Sequence, residues 1–222
     1  MAKANKSNGW LLALFLLVEA AFYTLILTDT WVVSAQYASI LLCVVFVLLH
    51  LRRANYFLLC GLLCTAAADW FLVVKYGADK LTAMLFFLAA QMIYAILLHL
   101  RARSKGLLIT RLVSVVVVEA VVVLILQGNV DLLAMVSMAY YTMLILNLIC
   151  AFAAYKKEPL LAWALVLFLL CDTVIGLQQA AGAYFQLPLW LSNIVWCGFP
   201  LAWAFYLPSQ VMIAICGRHN RR

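Results

Sequence analysis

Long apolar runs, separated by short polar breaks, cover almost the whole chain. Eight runs of about 20 residues can be drawn, and each break carries charge, Gly, Pro or Asn. A helix of this length, at about 1.5 Å per residue, crosses a hydrocarbon layer roughly 30 Å thick. The pattern predicts an all-α polytopic membrane protein in which residues 1–222 form a single transmembrane domain with eight helices at 10–27, 32–51, 56–74, 81–100, 107–126, 132–154, 160–178 and 191–216.

Composition agrees with this prediction. Apolar residues make up 69% of the chain and charged residues 10%. The longest connection between runs is about a dozen residues, so no soluble domain fits between the spans. The net charge of +7 therefore indicates membrane topology and affinity for anionic lipid, and we expect no nucleic-acid partner.

The basic residues fall mainly on one side of the predicted membrane. With eight crossings, one side holds both termini and these residues: Lys3, Lys6, Arg52, Arg53, Arg101, Arg103, Lys105, Lys156, Lys157, Arg218, Arg221 and Arg222. The other side holds Lys75 and Lys80. Because Lys and Arg accumulate in cytoplasmic loops, we expect the N- and C-termini to be cytoplasmic.

Four acidic residues lie inside the apolar runs, where a carboxylate is costly. Glu19, Asp69, Glu119 and Asp172 occur in the first, third, fifth and seventh runs, each five to eight residues before the run ends, so parallel helices would place them at similar depth. The two aspartates are the strongest functional candidates, because their short side chains cannot reach the polar layer. The alternative is a buried carboxyl that holds helices together, and for the two glutamates both roles stay open.

Amide and phenol side chains on two further spans are candidates to orient these carboxyls. Gln91 and Tyr94 share one face of the fourth span, and Tyr206 and Gln210 share one face of the eighth. Interhelical bonding is the equal alternative. Polar residues of the sixth span are interpreted as packing and interhelical bonding: Tyr140, Tyr141 and Asn147. Pro200 and Pro208 predict a kink in the eighth span.

Several membrane chemistries do not fit the residues. No His or Cys cluster has metal-ligand spacing, so we expect no metal and no cofactor. A retinal protein would need a lysine deep in a span. An intramembrane aspartyl protease would carry Gly-x-Gly-Asp, where this chain has Ala66-Ala67-Ala68-Asp69, so this class is kept only as a minor alternative.

Weak internal similarity suggests a parallel four-plus-four duplication. Leu17-Val18-Glu19-Ala20 recurs as Val117-Val118-Glu119-Ala120, and Ala68-Asp69 corresponds to Cys171-Asp172. Such a repeat would bring the acids together around a central cavity. Chance similarity among apolar segments is equally compatible with these matches.

Four short motifs resemble the YhhN/TMEM86 lysoplasmalogenase family. They are Ala68-Asp69-Trp70, Gln91-x-x-Tyr94, Leu170-Cys171-Asp172 and Phe205-Tyr206-Leu207-Pro208-Ser209-Gln210. Better-known members carry Gly-Asp, His-x-x-Tyr and Ser-Asp at the first three. The change from His to Gln91 removes a titratable group and is typical of a divergent branch, which we expect to be bacterial and to reside in the cytoplasmic membrane.

The resemblance implies hydrolysis of the vinyl ether bond of a lysoplasmalogen, a lysophospholipid drawn from the membrane lipid. Two carboxyls are sufficient for this chemistry, one to protonate the β-carbon and one to assist water. The resemblance implies catalysis by Asp69 and Asp172. The residues that would bind or orient the substrate are Gln91, Tyr94, Tyr206, Gln210, Glu19 and Glu119.

Two other functional classes stay open. The acids could relay protons or bind a cation in a carrier or channel. The protein could also be a lipid-binding regulator that has lost catalysis. A relay would string the carboxyls across the membrane, whereas an enzyme needs both aspartates within reach of one substrate atom.

Reporter fusions test the predicted topology. Fusions at both termini and within residues 101–105 are expected to report a cytoplasmic location, because the Lys and Arg bias demands it. Either terminus on the outside would contradict the eight-span arrangement.

Overall fold

Helices form most of the described part of the protein. The computed structural model describes residues 7–29, 32–51, 56–102, 105–125, 130–153, 159–183 and 186–219, and no strand occurs in these ranges. The helices are α1 Ser7–Leu27, α2 Val32–Leu49, α3 Tyr56–Asp69, α4 Lys80–Ala102, α5 Lys105–Ile125, α6 Leu132–Ala153, α7 Pro159–Ala183, α8 Leu189–Val195 and α9 Leu201–His219. A π-helical segment, Trp70–Val74, continues α3. The predicted all-α class is confirmed.

The apolar helices identify a membrane protein. Within the described ranges six helices are long and apolar enough to cross a membrane: Gly9–Leu27, Val32–Leu49, Tyr56–Val74, Lys80–Leu100, Leu132–Ala153 and Pro159–Ala181. A shorter apolar helix covers Leu201–Cys216. Helix α5 covers the predicted fifth span but is not among the six. The count of eight crossings therefore stays a prediction.

One predicted span is wrong as a continuous helix. Residues 191–216 are divided between α8 and α9, because the chain turns at Gly198, which has a φ of 73°. A left-handed backbone of this kind ends a helix, and Pro200 provides no amide hydrogen to bridge the gap. Pro208 does lie inside α9. Hydropathy alone does not reveal this break.

The helices pack in an order that runs around a common centre. Helix α3 packs on α4, α4 on α6, α6 on α7 and α7 on α9, and α9 returns to α2 and α3. Helix α1 lies against α2 and α9, while α5 lies against α6 and, more lightly, α4. The pairs α1–α2, α2–α3 and α3–α4 thus have counterparts in α5–α6, α6–α7 and α7–α9. This order is compatible with the duplication, which stays a prediction.

Most of the basic residues that predict the orientation lie outside the described residues. They are Lys3, Lys6, Arg52, Arg53, Arg103, Lys156, Lys157, Arg221 and Arg222. The cytoplasmic location of the termini is therefore still an expectation.

Gly61 lets α4 approach α3 very closely. Tyr94 of α4 is fully buried, and a Cβ built on Gly61 would lie 2.6 Å from its Cζ atom. No real Cβ contact is that short, so the Tyr94 ring occupies the place of a side chain at position 61. The close approach of α3 and α4 at this point depends on this pair.

Replacing Gly61 by Ala is expected to destabilise the protein. Overpacking costs about 1–3 kcal/mol and exceeds the about 0.5–1 kcal/mol that Ala gains over Gly in a helix. Thermal unfolding in detergent measures the effect. Gly176→Ala is the matched control, because nothing lies within 4 Å of a Cβ at that position. Tyr94→Leu in the Gly61→Ala background should restore stability, and equal melting temperatures for Gly61→Ala and Gly176→Ala would contradict the contact.

Candidate functional site

Asp69 ends α3 at the point where the helix widens. Its side chain is only 2% exposed. Immediately after it, the Lys75 amide donates to the Trp70 carbonyl at 2.9 Å, which is the i to i−5 bond of a π-helix. Such segments are frequent at functional sites. The π-helical segment therefore begins directly at the first candidate carboxyl.

A tyrosine on α9 satisfies Asp69. The Tyr206 hydroxyl donates to Asp69 Oδ2 at 2.6 Å, and both residues are buried. The bond joins residues 137 positions apart. It therefore fixes the end of α3 against α9.

A second tyrosine satisfies the other aspartate. Asp172 of α7 is half-buried, and its Oδ2 accepts a hydrogen bond from the Tyr140 hydroxyl of α6. The Phe87 ring packs near both tyrosines, so the two hydrogen-bonded pairs belong to one cluster. Four helices thus bring together two carboxyls and two phenols: Asp69, Tyr140, Asp172 and Tyr206.

Aromatic rings surround the two tyrosines. The Phe87 ring centroid lies 5.6 Å from that of Tyr140 and 6.5 Å from that of Tyr206. Phe168 lies 5.6 Å from Tyr206, and Trp203 stands perpendicular to Tyr206 at 5.0 Å. Such rings hold the hydroxyls in place, provide an apolar lining, and have faces that attract a developing positive charge.

The fourth-span candidates lie apart from the carboxyl pair. Gln91 is fully buried, and its Oε1 and backbone carbonyl accept bonds from Asn147 Nδ2 at 2.9 and 2.8 Å. It therefore links α4 to α6, in agreement with the interhelical role predicted for Asn147. Tyr94 packs on Gly61. Gly61 lies eight residues before Asp69, which is about 12 Å along α3.

Gln210 and the two glutamates are not hydrogen-bonded to the aspartates. Gln210 is fully buried one turn after Tyr206, and neither polar atom of its amide has a partner. Glu19 is 4% exposed and accepts a bond from Cys43 Sγ at 3.5 Å. Glu119 lies on α5 with both carboxyl oxygens buried and unpartnered. Of the four acids, only the two aspartates accept a hydrogen bond from a tyrosine hydroxyl in the described part of the chain.

Sequence reasoning interpreted Tyr140 as a residue for packing and interhelical bonding and did not include it among the candidate site residues. The polar character of the sixth span was the available signal, because Tyr140, Tyr141 and Asn147 all bond to neighbouring helices. Tyr141 shares a 2.8 Å hydrogen bond with Thr173, the residue after Asp172. The partner of each hydroxyl was not readable without the packing of α6 on α7.

Comparison with known proteins supports the resemblance drawn from the motifs. A family model described as the YhhN family matches residues 30–216, which confirms the resemblance. The match contains both aspartates and all the candidates on α4 and α9. No curated protein and no solved structure matches the chain.

Removing the hydroxyl of Tyr206 or Tyr140 is expected to destabilise the protein more than removing a tyrosine hydroxyl that donates to a backbone carbonyl. Tyr206→Phe and Tyr140→Phe each leave a carboxyl without its donor, and an unsatisfied buried polar group costs about 1–3 kcal/mol, and more when it is ionised, against about 0.5–1.5 kcal/mol for an ordinary hydrogen bond. Tyr23→Phe is the matched control, because the Tyr23 hydroxyl donates to the Ala204 carbonyl of the same α9 at 3.2 Å. Thermal unfolding in detergent makes the comparison. A loss for Tyr206→Phe no larger than for Tyr23→Phe would contradict a strong bond to Asp69.

Proposed function

Since the chain belongs to the YhhN family, we propose that it is a lysoplasmalogenase-like hydrolase. It adds water across the vinyl ether bond of a lysoplasmalogen and releases a fatty aldehyde and a glycerophospho-base. The enzyme acts in a membrane, which we expect to be a bacterial cytoplasmic membrane, and its substrate is a lysophospholipid from that membrane.

The observation that carries this proposal is the pairing of Asp69 and Asp172. Two carboxyls in one aromatic cluster, each accepting a hydrogen bond from a phenol hydroxyl, form an acid–base pair suited to proton transfer. Like charges at short range favour a state in which one carboxyl is protonated and the other ionised. That state provides both groups that vinyl ether hydrolysis needs.

The reaction proceeds through four proton transfers. The protonated carboxyl gives its proton to the β-carbon of the vinyl ether, and the α-carbon becomes an oxocarbenium ion. The ionised carboxyl stabilises this cation and takes a proton from the water that attacks it. The hemiacetal then breaks its bond to the glycerol oxygen: the second carboxyl, now protonated, gives its proton to that oxygen, the first carboxyl, now ionised, takes the proton of the hemiacetal hydroxyl, and the aldehyde is released. One water is consumed and the carboxyls regain their starting protonation.

The surroundings of the pair suit an apolar substrate with a cationic intermediate. Asp172 is half-buried, so substrate and water can reach the pair from its side. Phe87, Phe168 and Trp203 offer an apolar lining for the alkenyl chain, and aromatic faces stabilise positive charge.

Gln91 takes no part in proton transfer in this mechanism. An amide does not titrate near neutral pH, and the side chain is bonded to Asn147. Gln91 is therefore a positioning residue that links α4 to α6, and the aspartates carry all the proton transfers. Tyr206 and Tyr140 orient the carboxyls, and Gln210 offers an unpartnered amide one turn below Tyr206.

Aldehyde release from a vinyl ether lysolipid tests the proposal. Purified wild-type protein should release aldehyde, whereas Asp69→Asn and Asp172→Asn should each lose at least about 100-fold in rate, because Asn keeps the shape without the transferable proton. Asp29→Asn is the matched control: Asp29 is exposed and has a φ of 56°, which Asn tolerates well. Its activity should equal wild type.

Two results would contradict the mechanism. Activity surviving in both aspartate variants would exclude the carboxyl pair. A folded wild-type protein inactive on every vinyl ether lysolipid would instead favour a lipid-binding regulator or a carrier.

A further inference from the structure

Arg111 is a buried cation inside the predicted fifth span. Its side chain is only 4% exposed, although it lies on α5, a helix with many exposed apolar residues. An arginine at such a position is costly, and membrane proteins retain it where it has a partner or a function.

The guanidinium is held by one of its nitrogens and open along one edge. Nη1 donates to the Ala95 carbonyl of α4 at 2.9 Å. Nε and Nη2 are buried and have no hydrogen-bond partner. These two nitrogens lie on the same edge of the planar group and form a fork that can bind two oxygens of one phosphate or carboxylate.

No carboxylate among the described residues fills this fork. Glu119 on the same helix also has unpaired oxygens, but it lies eight residues, or about 12 Å, further along α5 and makes no bond to Arg111. A buried donor pair left empty is costly. The fork therefore points to an oxyanion from outside the chain.

Arg111 lies nearer to the α4–α5 connection than to the opposite end of α5. It lies six residues from the start of α5, and Ala95 lies seven residues from the end of α4, so both are roughly 10 Å from the α4–α5 connection. Because Nη1 is bonded to the Ala95 carbonyl, the guanidinium stays at about this depth, and a phosphate would reach it from the interface between the two helices. The sequence around the connection adds Arg101, Arg103 and Lys105, which attract anionic lipid.

We propose that Arg111 binds the phosphate group of a membrane phospholipid between α4 and α5. This site is separate from the aspartate pair. Ala95 directly follows Tyr94, which packs on α3 about 12 Å along the helix from Asp69. The inference does not depend on the proposed hydrolase activity.

Lipid binding by delipidated full-length protein tests this site. Native mass spectrometry would compare dioleoylphosphatidylglycerol with dioleoylglycerol, which has the same chains without phosphate, and with inorganic phosphate. The phospholipid should bind at least tenfold more tightly than either. Equal binding of dioleoylglycerol would overturn the phosphate contact, and equal binding of inorganic phosphate would overturn the lipid assignment. Both comparisons use the wild-type protein.

Two variants distinguish lipid binding by the guanidinium fork from attraction by general positive charge. Arg111→Lys keeps the charge but lacks the fork, so phosphatidylglycerol should bind at least tenfold more weakly. Arg101→Gln removes one charge near the same connection and should change binding by less than twofold. Wild-type affinity in Arg111→Lys, or an equal loss in Arg101→Gln, would show that diffuse charge holds the lipid and would overturn the proposal.

Discussion

A carboxyl group among apolar helices needs a hydrogen-bond donor, and here two tyrosine hydroxyls supply it. Tyr206 donates to Asp69 at 2.6 Å and Tyr140 donates to Asp172. Each bond joins a different pair of helices, so together they tie α3 to α9 and α6 to α7. Breaking one leaves a buried acid unsatisfied, which costs more than the bond itself contributes. The central packing and the candidate site therefore depend on the same two contacts.

The same two hydrogen bonds also determine the chemistry that the site can support. The phenols fix each carboxyl in one orientation. Phe87 packs near both phenols and so fixes the spacing between the two tyrosine–aspartate pairs. Asp69 is buried and Asp172 is half-buried, so only one of the two carboxyls is accessible from outside the protein. An apolar site with two interacting carboxyls suits a reaction whose intermediate is a cation and whose substrate is a lipid.

Hydropathy predicted most of the helices, because the length of an apolar run can be read directly from the sequence. The boundaries of α2 and α6, for example, fall within two residues of the predicted spans. Hydropathy could not predict the break at Gly198, because the residues around it are as apolar as a helix. The acids were recognisable from their cost in hydrocarbon, but the packing of α6 on α7 was needed to find Tyr140. Tyr94 shared a predicted face with Gln91, yet close contact with Gly61 holds it away from the aspartates.

The central claim is that the carboxyl pair protonates a vinyl ether carbon, and the position of solvent hydrogen in the product tests it most directly. The measurement is mass spectrometry of the aldehyde that purified protein releases in heavy water, with the aldehyde reduced as it forms to prevent exchange. The account predicts one deuterium on the carbon next to the carbonyl carbon. Aldehyde without that deuterium, or no aldehyde at all from the folded protein, would contradict it.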